Sequence, residues 1–319
     1  MSAFDPSMVP GATRFGVPDA GFLDLPPERR AEDAAAAVIP VPYDKTSTWV
    51  KGADLGPAAL LGASAQVEWY EIERDVEPSV HGVVTRPPIL CDGPPEEMTT
   101  LVRTGVAAEL KAGKMPIVIG GEHSVSIGAI DAAAEMYPAL TVLQIDAHAD
   151  TREAYQGSTR SHACVMARAR ERCGIVQVGI RSMDASERAG LDPDRVIYAH
   201  EIDTSARREW IGRVLDQLTD HIYITLDVDG FDPSVVPCTG TPEPGGLTWW
   251  DFADLVDAVG ARSRIVGFDV VELCPVGELW HASAFVAARA TQRMVAAALT
   301  APSGSPAPSR PRPDSSRSA

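Results

Sequence analysis
The chain has 319 residues, 45% of them hydrophobic, which is enough to build a sizeable core. Its net charge of −16 and isoelectric point near 4.8 argue against nucleic acid or an anionic membrane as partner, and suit a cationic substrate or simple solubility. It has no run of about 18 apolar residues that could span a membrane, and Met1–Pro6 lacks the basic and apolar regions of a signal peptide. Cys91, Cys164, Cys173, Cys238 and Cys274 are odd in number and contain no Cys-x-x-Cys pair, so they are expected as free thiols of a cytoplasmic protein.

Residues 1–34 are rich in Pro, Gly and charge and are expected to form an irregular N-terminal arm. Ala35–Val41 reads as a first strand, and Pro57–Tyr70 as a helix with Pro57 in its first turn. Met98, Leu101, Val102, Val106 and Leu110 recur at helical spacing over Met98–Ala112. Pro116–Ile119 is the next strand, followed by a helix from Ser124 to Met136. Leu140–Ile145, Ile175–Ile180 and Val196–Tyr198 read as strands, His162–Arg172 and Arg207–Leu218 as helices. The last of these carries Trp210, Ile211, Val214, Leu215 and Leu218 on one face. Tyr223–Leu226 and Ile265–Val271 are strands, Thr248–Val259 and Ala282–Leu299 helices. Helices alternating with strands that are apolar on both faces predict an α/β fold, a mainly parallel sheet covered by helices. Residues 301–319, a low-complexity run of Pro, Ser and Arg, are expected to be a disordered tail.

Three of these strands end in residues that bind metals. Leu140–Ile145 runs into Asp146-Ala-His148-Ala-Asp150, and Tyr223–Leu226 into Asp227-Val-Asp229-Gly-Phe-Asp232. Pro116–Ile119 runs into Gly120-Gly121-Glu122-His123, where the glycines permit a sharp exit and close backbone approach. Alternation places Asp146, His148 and Asp150 on one face if the backbone stays extended, and does the same for Asp227 and Asp229. The first segment alone leaves two readings open, a divalent-metal site or a strand end with solvated Asp and a satisfied His. Repetition at three strand ends favours the metal, because burying such carboxylates without a cation is costly and because open α/β sheets bind ligands at the carboxyl ends of their strands. His123, Asp146, His148, Asp150, Asp227 and Asp229 exceed what one ion with open positions requires, whereas two ions sharing bridging carboxylates use them all. Carboxylates and imidazoles without a thiolate suit Mn²⁺ better than a structural zinc. Two such ions roughly 3.5–4 Å apart lower the pKa of a shared water. The residues thus predict a dinuclear metal hydrolase without revealing the bond it cuts.

Ile119-Gly-Gly-Glu-His-Ser-Val-Ser126, Asp146-Ala-His-Ala-Asp150 and Leu226-Asp-Val-Asp-Gly-Phe-Asp-Pro233 resemble, in this order, the signatures of the ureohydrolases, the arginase and agmatinase family. The resemblance covers about residues 35–300 and implies one catalytic domain there. It implies a three-layer α/β/α arginase-like fold, two Mn²⁺ ions per chain, and hydrolysis of a guanidino group to urea and an amine. Carried over by position, His123 binds one ion together with Asp146, Asp150 and Asp227. Asp146, His148, Asp227 and Asp229 bind the other, so that Asp146 and Asp227 bridge. Cys238 departs from the family pattern, which has a smaller residue there, and bears on loop packing rather than on a ligand. Asp150–Met166 and Pro42–Pro57 are similar to the agmatinase branch, and the polar loop with which arginases grip an α-amino acid is not reproduced. The implied substrate is a small cationic guanidino compound, with agmatine, giving putrescine in polyamine biosynthesis, placed ahead of 4-guanidinobutyrate and of arginine. A non-catalytic metal-binding homologue would show a broken ligand set, which this sequence does not. The resemblance also implies a homo-oligomer, trimeric or hexameric.

Three catalytic positions follow from the same match. Asp150 is expected to hydrogen-bond the attacking hydroxide. Glu272, in Val270-Val-Glu-Leu-Cys-Pro275, matches the family glutamate that faces the guanidinium, a planar cation that a carboxylate can grip. His162 matches the histidine that passes a proton to the leaving amine. Arg152 either pairs with a nearby acid and orders its loop, the preferred reading, or binds a substrate carboxylate. Asp232 is expected to support its loop, Trp249 and Trp250 to pack, and Cys164, Cys238 and Cys274 to be small buried thiols. His81, His200, His221 and His281 match no pattern.

Overall fold
A computed structural model of the chain describes residues 21–204 and 207–300. Its strands, in chain order, are β1 (Ala36–Val41), β2 (Val83–Thr85), β3 (Met115–Gly120), β4 (Leu140–Ile145), β5 (Gly174–Ile180), β6 (Val196–Tyr198), β7 (His221–Asp227) and β8 (Arg264–Val271). The helices are α1 (Gly56–Ser64), α2 (Pro95–Lys111), α3 (Val125–Met136), α4 (Val165–Ala169), α5 (Ala199–Thr204), α6 (Arg207–Asp216), α7 (Trp249–Arg262) and α8 (Trp280–Leu299). The strands form one sheet in the order β2-β1-β3-β8-β7-β4-β5-β6. Every neighbouring pair is parallel, so the sheet is more uniform than the expected mainly parallel one. β2 is the strand that hydropathy did not show, since three residues are too few to display a period.

Side-chain alternation divides the core into two layers. In β3, Ile117 and Ile119 face the layer built from α1, α6, α7 and α8, while Val118 faces α2, α3 and α4. The outcome is the three-layer α/β/α arrangement. Ile222, Ile224 and Leu226 of β7 are fully buried, and at roughly 2 kcal/mol each such burial fixes where that strand ends. β3, β8, β7 and β4 are adjacent at the sheet centre, and their carboxyl ends deliver His123, Glu272, Asp227 and Asp146 to one place.

Several boundaries move for physical reasons. α1 stops at Ser64 rather than Tyr70: the Ser64 hydroxyl accepts the main-chain N–H of Leu23 (2.9 Å), and tight turns at Gln66 and Val67 follow. The helix expected over His162–Arg172 is a 3-10 turn (His162–Cys164) and a short α4. α7 opens with a capping box between Thr248 and Asp251. Trp249 packs on Phe252 as expected, whereas Trp250 is exposed. The described part of the N-terminal arm is irregular, yet it buries Phe22, Leu23 and Leu25 in the core. Residues 1–20 of that arm and the tail expected over 301–319 lie outside the described residues. No helix among the described residues is long and apolar enough to cross a membrane.

Candidate active site
The sequence pattern placed the clustered ligands on extended backbone; the structure gathers them by turns instead. β4 ends at Ile145, and the Asp146 carboxylate accepts the N–H of His148 (2.6 Å). β7 ends at Asp227, whose carboxylate accepts the N–H of Asp229 (2.8 Å) at the start of a 3-10 turn over Val228–Gly230. Each aspartate thus folds its own loop back within two residues, a turn that short polar side chains form readily. Ala147 N–H donates to the Asp229 carboxylate (3.0 Å), locking the two loops together. β3 reaches the same point through Gly121, where a Cβ would stand 2.0 Å from the Tyr43 carbonyl oxygen. The close approach expected of that glycine is therefore a main-chain crossing. Asp150 and Glu272 both hold a left-handed backbone (φ 52° and 63°), strain that persists where surrounding contacts impose it.

The six candidate ligands come together. Asp150, Asp146 and Asp227 oxygens stand 2.9, 3.2 and 3.5 Å from His123 Nδ1. His148 Nδ1 lies 3.0 Å from Asp229 and 3.7 Å from Asp146. His123, Asp146 and Asp227 can converge on one ion, and Asp146, His148 and Asp229 on another, with Asp146 common to both. Beneath them the Thr225 hydroxyl donates to Asp269 (2.6 Å), which leaves its lone pair for His123 Nε2–H (2.9 Å). That turns Nδ1 toward the carboxylates, and this buried atom has no hydrogen-bond partner of its own.

The electrostatics show the same need for positive charge. Burial and the Asp146 charge raise Asp150 to about 6, against the pull of His123. Burial and the neighbouring Asp229 and Asp146 charges push Asp227 well above the usual carboxylate range. Burial opposes charge on His148, yet Asp229 and Asp146 push it up to about 12. So many buried carboxylates repel one another unless a cation sits among them, and oxygen and imidazole donors suit a divalent one. The residues fit a pair of divalent ions.

A cavity of about 290 Å³ opens over this cluster, and His162, Glu272, Arg152 and Asp184 line it. Glu272 is buried and accepts the His123 main-chain N–H (2.8 Å). Burial and the charge of Glu122 raise its pKa well above the ordinary carboxylate value. His162 contacts Thr46 Oγ1 through Nδ1 (3.2 Å), and the Tyr155 ring meets it edge-on. Arg152 pairs with Glu187 (3.3 Å) and stacks on Tyr155, the preferred of its two readings. Asp232 supports its loop, accepting N–H groups from Ser234, Gly245 and Gly246. Cys164, Cys238 and Cys274 are buried free thiols, and His81, His200, His221 and His281 do not line the cavity.

One residue that ties the site loops together had no sequence signal. Arg181 donates through its guanidinium to the carbonyls of Gly179, Asp229, Gly230, Phe231 and Glu243, while its own N–H donates to Ala147 O (2.8 Å). It therefore joins both ligand loops. A lone arginine just past an apolar strand carries no spacing to mark it; its position, one residue beyond β5, was the available hint.

Residues 34–296 match the Arginase family. An N(1)-aminopropylagmatine ureohydrolase of Thermus thermophilus is 38% identical over 255 residues, 79% of this chain and 86% of that protein. The Synechocystis protein of the same name is 35% identical over 268 residues, 80% of this chain and 86% of its own length. The solved agmatine ureohydrolase of Thermoplasma volcanium superposes with a TM-score of 0.75 at 31% identity, covering 83% of this chain and 90% of that one. The chain belongs to the arginase family. Within it the chain is a ureohydrolase, a hydrolase of C–N bonds in linear amidines.

Proposed function
We propose that the chain hydrolyses agmatine to putrescine and urea, with two Mn²⁺ ions held by His123, Asp146, Asp150 and Asp227 on one side and by Asp146, His148, Asp227 and Asp229 on the other. Bound there, the ions supply the Lewis-acid charge that makes water nucleophilic near neutrality. Glu272 receives the guanidinium of the substrate by charge-assisted hydrogen bonds. Asp150 orients the attacking oxygen and takes up its proton in exchange. His162 protonates the leaving nitrogen as the C–N bond breaks.

The observation that carries the substrate reading is the Arg152–Glu187 pair. Glu187 also accepts the N–H groups of Thr151 (2.9 Å) and Asp184 (2.8 Å), so Arg152 is neutralised within an ordered loop. Asp184 adds an acidic group to the same wall. A wall of that charge favours an ammonium at the far end of the substrate over the carboxylate of 4-guanidinobutyrate or arginine. N(1)-aminopropylagmatine also ends in amines, and the names of the Thermus and Synechocystis relatives favour it as a second reading. Urea release from agmatine, N(1)-aminopropylagmatine, 4-guanidinobutyrate and arginine by the Mn²⁺-loaded protein decides. Agmatine is expected to lead. A lead for the aminopropyl compound moves the substrate to the second reading, and preference for 4-guanidinobutyrate overturns both.

A further inference from the structure
The Pro42–Pro57 segment follows β1 and brings one hydroxyl to the histidine that faces the cavity. Thr46 Oγ1 accepts the main-chain N–H of His162 (3.0 Å) and stands 3.2 Å from its Nδ1. The main-chain N–H of Thr46 donates to Glu122 Oε1 (3.3 Å). Glu122 is fully buried and is held from its other side by the N–H and hydroxyl of Ser124, both at 2.8 Å. The segment is itself tethered. Tyr43 is buried and donates to Gly93 O (3.2 Å), and the Asp44 carboxylate accepts Gly52 N–H (2.7 Å). The Tyr155 ring meets the His162 ring edge-on, at 5.7 Å between ring centres.

From this arrangement we infer that Thr46 is a positioning residue for proton transfer by His162, and that it holds the ring with its resident proton on Nδ1. The inference rests on the role given to His162 above. A threonine hydroxyl has one proton and two lone pairs. One lone pair is taken by the His162 main-chain N–H. The hydroxyl keeps a second lone pair and, 3.2 Å from Nδ1, offers it to Nδ1–H. Nε2 is then the ring nitrogen that exchanges protons. As the C–N bond breaks, its electron pair goes to the leaving nitrogen, which takes a proton from Nε2. The ring, which carried a proton on each nitrogen before the step, is left neutral with Nδ1–H in place; a solvent hydronium ion then returns the Nε2 proton, and the proton held by Asp150 leaves to solvent. A ring held in one tautomer and one rotamer gives up its proton without first reorganising, as hydrogen-bonded partners do for other functional histidines.

The test compares kcat on agmatine and on 3-aminopropoxyguanidine, in which oxygen replaces the CH₂ next to the guanidino nitrogen and makes the leaving amine less basic. Thr46→Val, which keeps the side-chain shape, is expected to lose roughly 10- to 100-fold in kcat on agmatine and clearly less on the alkoxyguanidine, with KM changed less than about threefold. Thr46→Ser is expected to restore most of the rate on both compounds. Thr46→Ala carries the same expectation as Thr46→Val should the valine variant not fold. An unchanged kcat overturns the inference, and so does an equal loss on both compounds, because only a proton-transfer defect depends on the basicity of the leaving amine. His162→Ala separates the two levels. If it leaves the agmatine rate intact, the role of His162 falls and Thr46 with it. If it slows agmatine while Thr46→Val does not, His162 stands and Thr46 alone falls.

Discussion

Asp146 and Asp227 each accept an N–H from two residues ahead, and that shared turn decides the geometry of the candidate centre. The sequence made the ligand types and their order legible, since His and Asp after three apolar runs are visible as letters. It hid the turns, because alternation on an extended strand and a self-folding aspartate give the same spelling. It hid the left-handed backbone of Glu272 as well, since Glu is not a residue type that advertises that conformation, and it left that of Asp150 open, since Asp adopts it only now and then. Asp232 offers a measurable case at this scale. Ser234, against a smaller effect of burial, and the N–H groups of Gly245 and Gly246 draw its carboxyl down to about 2. A depressed folded pKa stabilises the protein above the ordinary carboxylate value and ceases to do so as pH falls through the folded value. Asp232→Ala should therefore cost about 1 kcal/mol near neutrality, a modest figure because the group is well solvated. In urea unfolding, the gap between variant and parent midpoints should close as pH drops from about 4 to about 2. A gap that stays constant across that range would remove the charge of Asp232 from the explanation.

Among the elements, β5 contributes no ligand, yet its exit residue binds both ligand loops. The Arg181 guanidinium holds the Asp229–Phe231 main chain, and Arg181 and Ser182 N–H groups hold Ala147 O. Replacing it with Met leaves several carbonyls without donors, which should lower stability by about 3 kcal/mol. It should also weaken Mn²⁺ binding roughly 10- to 100-fold, as loss of a ligand-orienting contact does. Arg181→Lys, a point charge without the planar fork, should fall between. Calorimetric titration of folded protein with Mn²⁺ reads this directly, and unchanged affinity in Arg181→Met would confine the residue to general stability. The alternation of helices with strands was plain in the hydropathy and yielded seven of the eight strands. What it could not yield was tertiary in origin. β2 exists because β1 offers it an edge, and α1 ends where Ser64 is drawn to Leu23.

The whole molecule is closed at its far side by an ion cluster that no local pattern announces. Arg293 of α8, only 3% exposed, bonds Glu71 (2.9 Å) and Glu73 from the turn after α1 and Asp257 (2.6 Å) from α7. Glu71 is fully buried, and Arg293→Met leaves it only the longer pairing with Arg289 (3.5 Å), so the change should cost about 3 kcal/mol, read as a fall in the urea midpoint. Adding Glu71→Leu should recover part of that loss, because the poorly paired buried charge is then gone. No recovery would mean that the cluster acts through shape rather than charge. At the carboxyl end of the sheet four neighbouring strands pool their exits into one acidic basin with two imidazoles. Titrating the metal-stripped protein with Mn²⁺, while measuring both bound metal and urea released from agmatine, shows whether that basin works as a two-metal centre. Urea release should reach its plateau only as occupancy reaches two ions per chain. A plateau at one ion, or two bound ions with no urea from agmatine or N(1)-aminopropylagmatine, would contradict it.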